Sequence, residues 1–162
     1  MKNRSIMPNT KQKRQMFVLY VLFLMLLSLS IAFMHLSSKI AETFRAASVI
    51  SGACFWIGFI GTVVTAVRIN HFRKRSALFK GFQPKQKKLG LIHFFQNKTA
   101  KFFDILMFIS LVSFLIFVLF VKSNAISFVF LSIFVFSFGM HCMLNGTNYE
   151  YIIFRAKKEV KS

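Results

Sequence analysis

Acidic residues are nearly missing from this chain of 162 residues: Glu42, Asp104, Glu150 and Glu159 stand against 22 Lys and Arg. Acid–base and metal-assisted hydrolysis draw on convergent carboxylates, and these four are spread along the whole chain. No GxSxG, HExxH or P-loop pattern replaces them. An enzyme is therefore not expected, and neither is a bound cofactor. Cysteine is also sparse. Cys54 and Cys142 are too few for a disulfide scaffold. On the topology argued below they fall at different membrane depths, beyond a disulfide's Cα separation of roughly 4.4–6.8 Å. Charge as a whole is low, 16% of residues against roughly 25% in soluble domains. Disordered chains are poor in aromatics, whereas 23 positions here are Phe.

What fills the sequence is apolar. Hydrophobic residues make up 56% of it, gathered into four long runs. Met16 to Leu36 is 21 residues with one ionisable group, His35, at its far end. As a helix it would reach about 31 Å, the thickness of a hydrocarbon core. Ala47 to Val67 carries no charge, Ile105 to Val121 lies between Asp104 and Lys122, and Ala125 to about Leu144 contains only His141. Transmembrane strands alternate apolar and polar residues, but Phe17 to Leu27 has no polar residue except Tyr20. Four transmembrane α-helices are expected, in an all-α integral membrane protein. The first run exceeds the 7–15 residues of a signal peptide's apolar core, and Ser30-Ile31-Ala32 is a weak cleavage signal. It reads as an uncleaved anchor.

Positive charge alternates between connections. Five Lys or Arg precede the first span, ten lie between Arg68 and Asp104, and four follow the fourth span. The two remaining connections hold Lys39, Arg45 and Lys122. The positive-inside rule then predicts both termini and the long loop in the cytoplasm. The chain divides into a basic N-terminal segment (1–15), a transmembrane hairpin (16–67), a basic loop (68–104), a second hairpin (105–146) and a basic tail (147–162). The sequons at Asn97 and Asn145 would be cytoplasmic and read as chance matches.

Within this frame, Lys122, Ser123 and Asn124 force spans three and four into an antiparallel hairpin, with Ser123 or Asn124 placed to cap the fourth helix. Small residues at four-residue spacing mark the second span: Gly58, Thr62 and Ala66; Gly61 and Thr65; Ser48 and Gly52. They suit close helix packing, either inside this bundle or against another protein, and they point to span two as the bundle's centre. Ser137, His141 and Asn145 form an i, i+4, i+8 polar stripe near the inner end of span four. An ionisable group in a span is a functional candidate, but a satisfied histidine at the hydrated boundary is the favoured reading, ahead of a proton or ligand site. A metal site from His71, His93, His141 and Cys142 has no recognised ligand spacing. Asp104 opens span three, where a helix N-terminus favours an anion.

The basic loop is divided by Gly81 to Pro84. Arg73, Lys74 and Arg75 continue the second helix, and Lys80, Lys85, Lys87, Lys88, Lys98 and Lys101 follow. Leu91, Ile92, Phe95, Phe102 and Phe103 would share one helical face, with Lys87, Lys98 and Lys101 opposite. That is the pattern of an amphipathic helix in the membrane interface, although Phe94 violates it and Asn97 can break it. Each cation near an anionic leaflet contributes about 1 kcal/mol. The expected partners are anionic headgroups and an acidic protein or a second copy. Basic charge without a recognition fold gives only non-specific nucleic-acid affinity. In its Phe, Lys and Ile usage, Gly90 to Tyr151 resembles small membrane proteins of bacteria with AT-rich genomes, a likeness that transfers no function. The functional expectation is an accessory or structural subunit of a bacterial membrane assembly of transport or secretion type, in the cytoplasmic membrane. The alternative is a self-contained transporter or channel acting as a homo-oligomer.

Overall fold

A computed structural model describes residues 10–40, 46–79, 94–95 and 98–145. Four helices account for nearly all of them: α1 (Thr10–Ile40), α2 (Ala46–Phe79), α3 (Lys98–Ile116) and α4 (Asn124–Leu144). All four are long and apolar enough to cross a membrane, over Arg14–His35, Ala46–Phe72, Lys98–Val121 and Asn124–Leu144. The chain is thus a multi-pass membrane protein by the length and composition of its helices. Its exposed residues fit that solvent: Leu22, Trp56, Ile60, Ile109 and Phe120 are each more than half exposed.

The helices pack as an open row, in the order α2, α1, α4, α3. Span two is therefore not the centre of the bundle. It packs chiefly on α1, while α1 and α4 form the middle seam. The reason lies in hydroxyls and one glycine that hydropathy hides. Ser132 donates to the Ser28 carbonyl at 2.6 Å, and Tyr20 donates to the Gly139 carbonyl at 2.7 Å. In hydrocarbon such cross-helix bonds replace the absent hydrophobic drive, each contributing roughly 0.6–1.7 kcal/mol. Around them Tyr20, Leu24, Leu27, Ile31, Met140 and Met143 form the core, joined by Ile69 of α2. Leu24 lies over Gly139, where an added Cβ would approach its methyls at 2.6 Å.

The third span ends irregularly. Phe117 to Val121 widens into a π-helical turn, and Lys122 takes the left-handed conformation (φ 54°) that closes the hairpin. Ser123 occupies the N-cap position of α4, but its side chain makes no capping bond, contrary to expectation. Its carbonyl instead accepts from both the backbone N–H (3.0 Å) and the hydroxyl (2.7 Å) of Ser127.

Two boundaries differ from those expected. Helix α3 begins at Lys98, so Asp104 stands almost two turns inside it rather than at its start. The predicted interfacial helix lies mostly outside the described residues. Where it enters them it is interrupted: Phe94 and Phe95 are not helical, and Phe95 has φ 60°.

Candidate functional site

The expected packing residues on α2 divide into two groups. Gly58 and Gly61 face α1: a Cβ on Gly58 would meet the Leu27 backbone nitrogen at 2.6 Å, and one on Gly61 would enter the Phe23 ring. Thr65 is buried beside them and Ala66 packs on the core. Thr62 and Thr65 return their hydroxyls to the carbonyls of Gly58 and Gly61, at 2.7 and 2.6 Å. This satisfies the polar groups without water. Gly52 is different, with nothing within 4 Å of an added Cβ.

The polar stripe on α4 leads to a site that the sequence did not reveal. Ser137, His141 and Asn145 are all buried. Ser137 closes on its own helix, donating to the Ile133 carbonyl at 2.7 Å. His141 and Asn145 turn instead to α3 and meet Asp104, which is 0% exposed. Asp104 Oδ1 lies 2.6 Å from His141 Nδ1 and accepts from Asn145 Nδ2 at 2.8 Å. Its other oxygen, Oδ2, accepts from the backbone N–H of Phe95 at 2.6 Å. The sequence shows the four carboxylates spread along the chain and gives no pairing of Asp104 with His141. Among the described residues, Asp104 is the only acidic one and it is paired with that histidine.

This geometry constrains the protons. An oxygen and a ring nitrogen 2.6 Å apart would repel if both presented lone pairs, so one proton lies between them. Asn145 Nδ2 is also 2.9 Å from His141 Nδ1. Because that nitrogen's single in-plane position is turned to Asp104, the amide's productive bond is the one to the carboxylate. Two aromatic rings flank the imidazole, Phe94 at a centroid distance of 4.7 Å and Phe138 at 6.3 Å.

Asp104 lies seventeen residues from Val121, about 26 Å along the helix. That keeps it within the roughly 30 Å of a hydrocarbon core, close to the boundary. Among the described residues, the other candidates do not join it. His71 is exposed on α2, and His93 lies outside the described residues. No group of three or more His, Cys, Asp or Glu suited to a metal occurs among the described residues. The expected sequon residue Asn145 is buried within the site, and Asn97 lies outside the described residues.

Of the basic residues expected to meet lipid or a partner, Lys98 and Lys101 are exposed on the first turns of α3. Arg73, Lys74 and Arg75 lie on the last turns of α2. Lys80, Lys85, Lys87 and Lys88 fall outside the described residues. No protein-family model, no curated protein and no solved structure matches the chain.

Proposed function

We propose that this is a small non-enzymatic protein of the bacterial cytoplasmic membrane, with both termini and the basic loop inside. It serves as an accessory or structural subunit of a larger transport- or secretion-type assembly. The observation that best supports a subunit is the open row of helices. With packing that runs α2, α1, α4, α3, the described residues show no substantial contact between α2 and α3. A row of this kind leaves α2 and α3 at its two ends, each with a long apolar flank turned to its surroundings. The basic loop and tail supply the complementary feature, a cationic surface suited to anionic headgroups or an acidic partner. Purification in mild detergent with mass analysis tests the reading. A stoichiometric partner is expected, and a lone monomer at all detergent concentrations contradicts it.

The second reading, a homo-oligomeric transporter or channel, draws support from one feature. Asp104 and His141 form an ionisable pair inside a span, and such pairs commonly serve proton or substrate pathways. Proteoliposomes containing only this chain distinguish the two. Solute or proton flux above that of empty vesicles would favour the second reading.

A further inference from the structure

We propose that Phe94 and Phe95 form a strap that gates access from water to the buried Asp104–His141 pair. The strap is the last part of the basic loop before α3. It is held by two contacts of different kinds. The Phe95 N–H bonds to Asp104 Oδ2 at 2.6 Å, and the Phe94 ring lies over the His141 imidazole at 4.7 Å and against Phe108 at 5.6 Å.

Three observations make this a strap rather than a fixed part of the core. Phe94 and Phe95 are themselves 39% and 52% exposed. Phe95 holds φ 60°, a left-handed conformation that a residue with a side chain adopts only when its surroundings impose it. Releasing the bond to Asp104 would relieve that conformation. The groups beneath are by contrast closed off, with Asp104, His141 and Asn145 at 0, 1 and 0% exposure.

Among the described residues, the other titratable groups at this end sit in different surroundings. Lys98 and Lys101 are exposed, Cys142 is half-buried on α4, and Tyr20 of α1 donates to Gly139. The site is thus a buried carboxylate hydrogen-bonded to an imidazole and to Asn145, with the Phe95 N–H bonded to the same carboxylate and the Phe94 ring over the imidazole. The inference holds whether the chain works as a subunit or alone, and its test does not involve a partner.

The full-length protein in phosphatidylcholine nanodiscs supplies the test. Diethyl pyrocarbonate modification at each histidine is followed by mass spectrometry, with the exposed His71 as internal reference. In the unaltered protein His141 should react at less than a tenth of the His71 rate. Phe94→Ala, which removes the ring and leaves every hydrogen bond in place, should raise the His141 to His71 ratio at least fivefold. Amide hydrogen exchange gives an independent reading. The Phe95 amide should be protected at least tenfold, and Asp104→Asn should remove most of that protection while helical content is unchanged. A His141 as reactive as His71 in the unaltered protein, or a ratio unmoved by Phe94→Ala, overturns the gate. An unprotected Phe95 amide overturns the latch. Both results would leave the search for a partner unaffected.

Discussion

Replacing Asp104 tests the buried cluster where its energetics are largest. Asp104→Leu keeps an apolar side chain of similar length on α3 but removes the acceptor for three donors: the imidazole of His141, the amide of Asn145 and the N–H of Phe95. Hydrogen bonds to a charged group contribute about 1.5–3 kcal/mol each. Removing one partner of a buried pair typically costs about 3–5 kcal/mol, because the other is left without compensation. The expected loss for Asp104→Leu is therefore ~3–5 kcal/mol, and His141→Phe should cost a similar amount by leaving the carboxylate under-satisfied. The double variant is the informative one. With both polar partners gone, the site becomes a packed apolar contact between α3 and α4, and the total loss should fall short of the sum by at least ~2 kcal/mol. Unfolding in mixed micelles titrated with a denaturing detergent, followed by circular dichroism, measures all three. Additivity within about 0.5 kcal/mol would refute the idea that these residues act as a unit.

Further expectations rest on separate contacts. Gly58→Ala should loosen α2 from α1 at a cost of about 1–3 kcal/mol, because its Cβ meets backbone rather than a movable side chain. Gly52→Ala, facing open space, should be neutral or stabilise by up to ~1 kcal/mol; equal effects at the two positions in the same unfolding assay would contradict this. Ser132→Ala should cost about 0.6–1.7 kcal/mol through the lost bond to Ser28, and no loss would remove that bond from the α1–α4 seam. Lys122→Gly relieves a left-handed residue and should stabilise the hairpin by up to ~1 kcal/mol; a destabilised hairpin would show that the lysine side chain contributes there.

The spans were legible because hydrocarbon imposes a simple rule. Long uncharged runs become helices, and three of the four observed starts fall within six residues of the expected ones. The third, at Lys98, failed for the same reason that the rule usually works. A boundary drawn at the first charge excludes an aspartate, whereas Asp104 sits inside its helix because His141 and Asn145 satisfy it. The pairing had left a trace. Asp104 lies eighteen residues before Lys122 and His141 eighteen after Ser123, so an antiparallel hairpin brings them to one depth. Asn145, one turn beyond His141, then follows on the same face. Less was visible of helix order. Small residues at four-residue spacing mark the α2 face that meets α1, but the seam between α1 and α4 depends on Ser28, Ser132 and Gly139, isolated residues in runs of Phe and Leu. Neither the left-handed Phe95 nor the uncapped Ser123 had any signal in composition or period.

Membrane topology is the claim on which the rest depends, and cysteine labelling in intact cells measures it most directly. In a Cys54→Ser, Cys142→Ser background, Lys122→Cys and Lys85→Cys place single thiols on the short hairpin turn and in the basic loop. A membrane-impermeant maleimide applied outside should label position 122 and leave 85 unmodified until the cells are opened. Labelling of position 85 in sealed cells, with 122 protected, would invert the orientation and contradict the account.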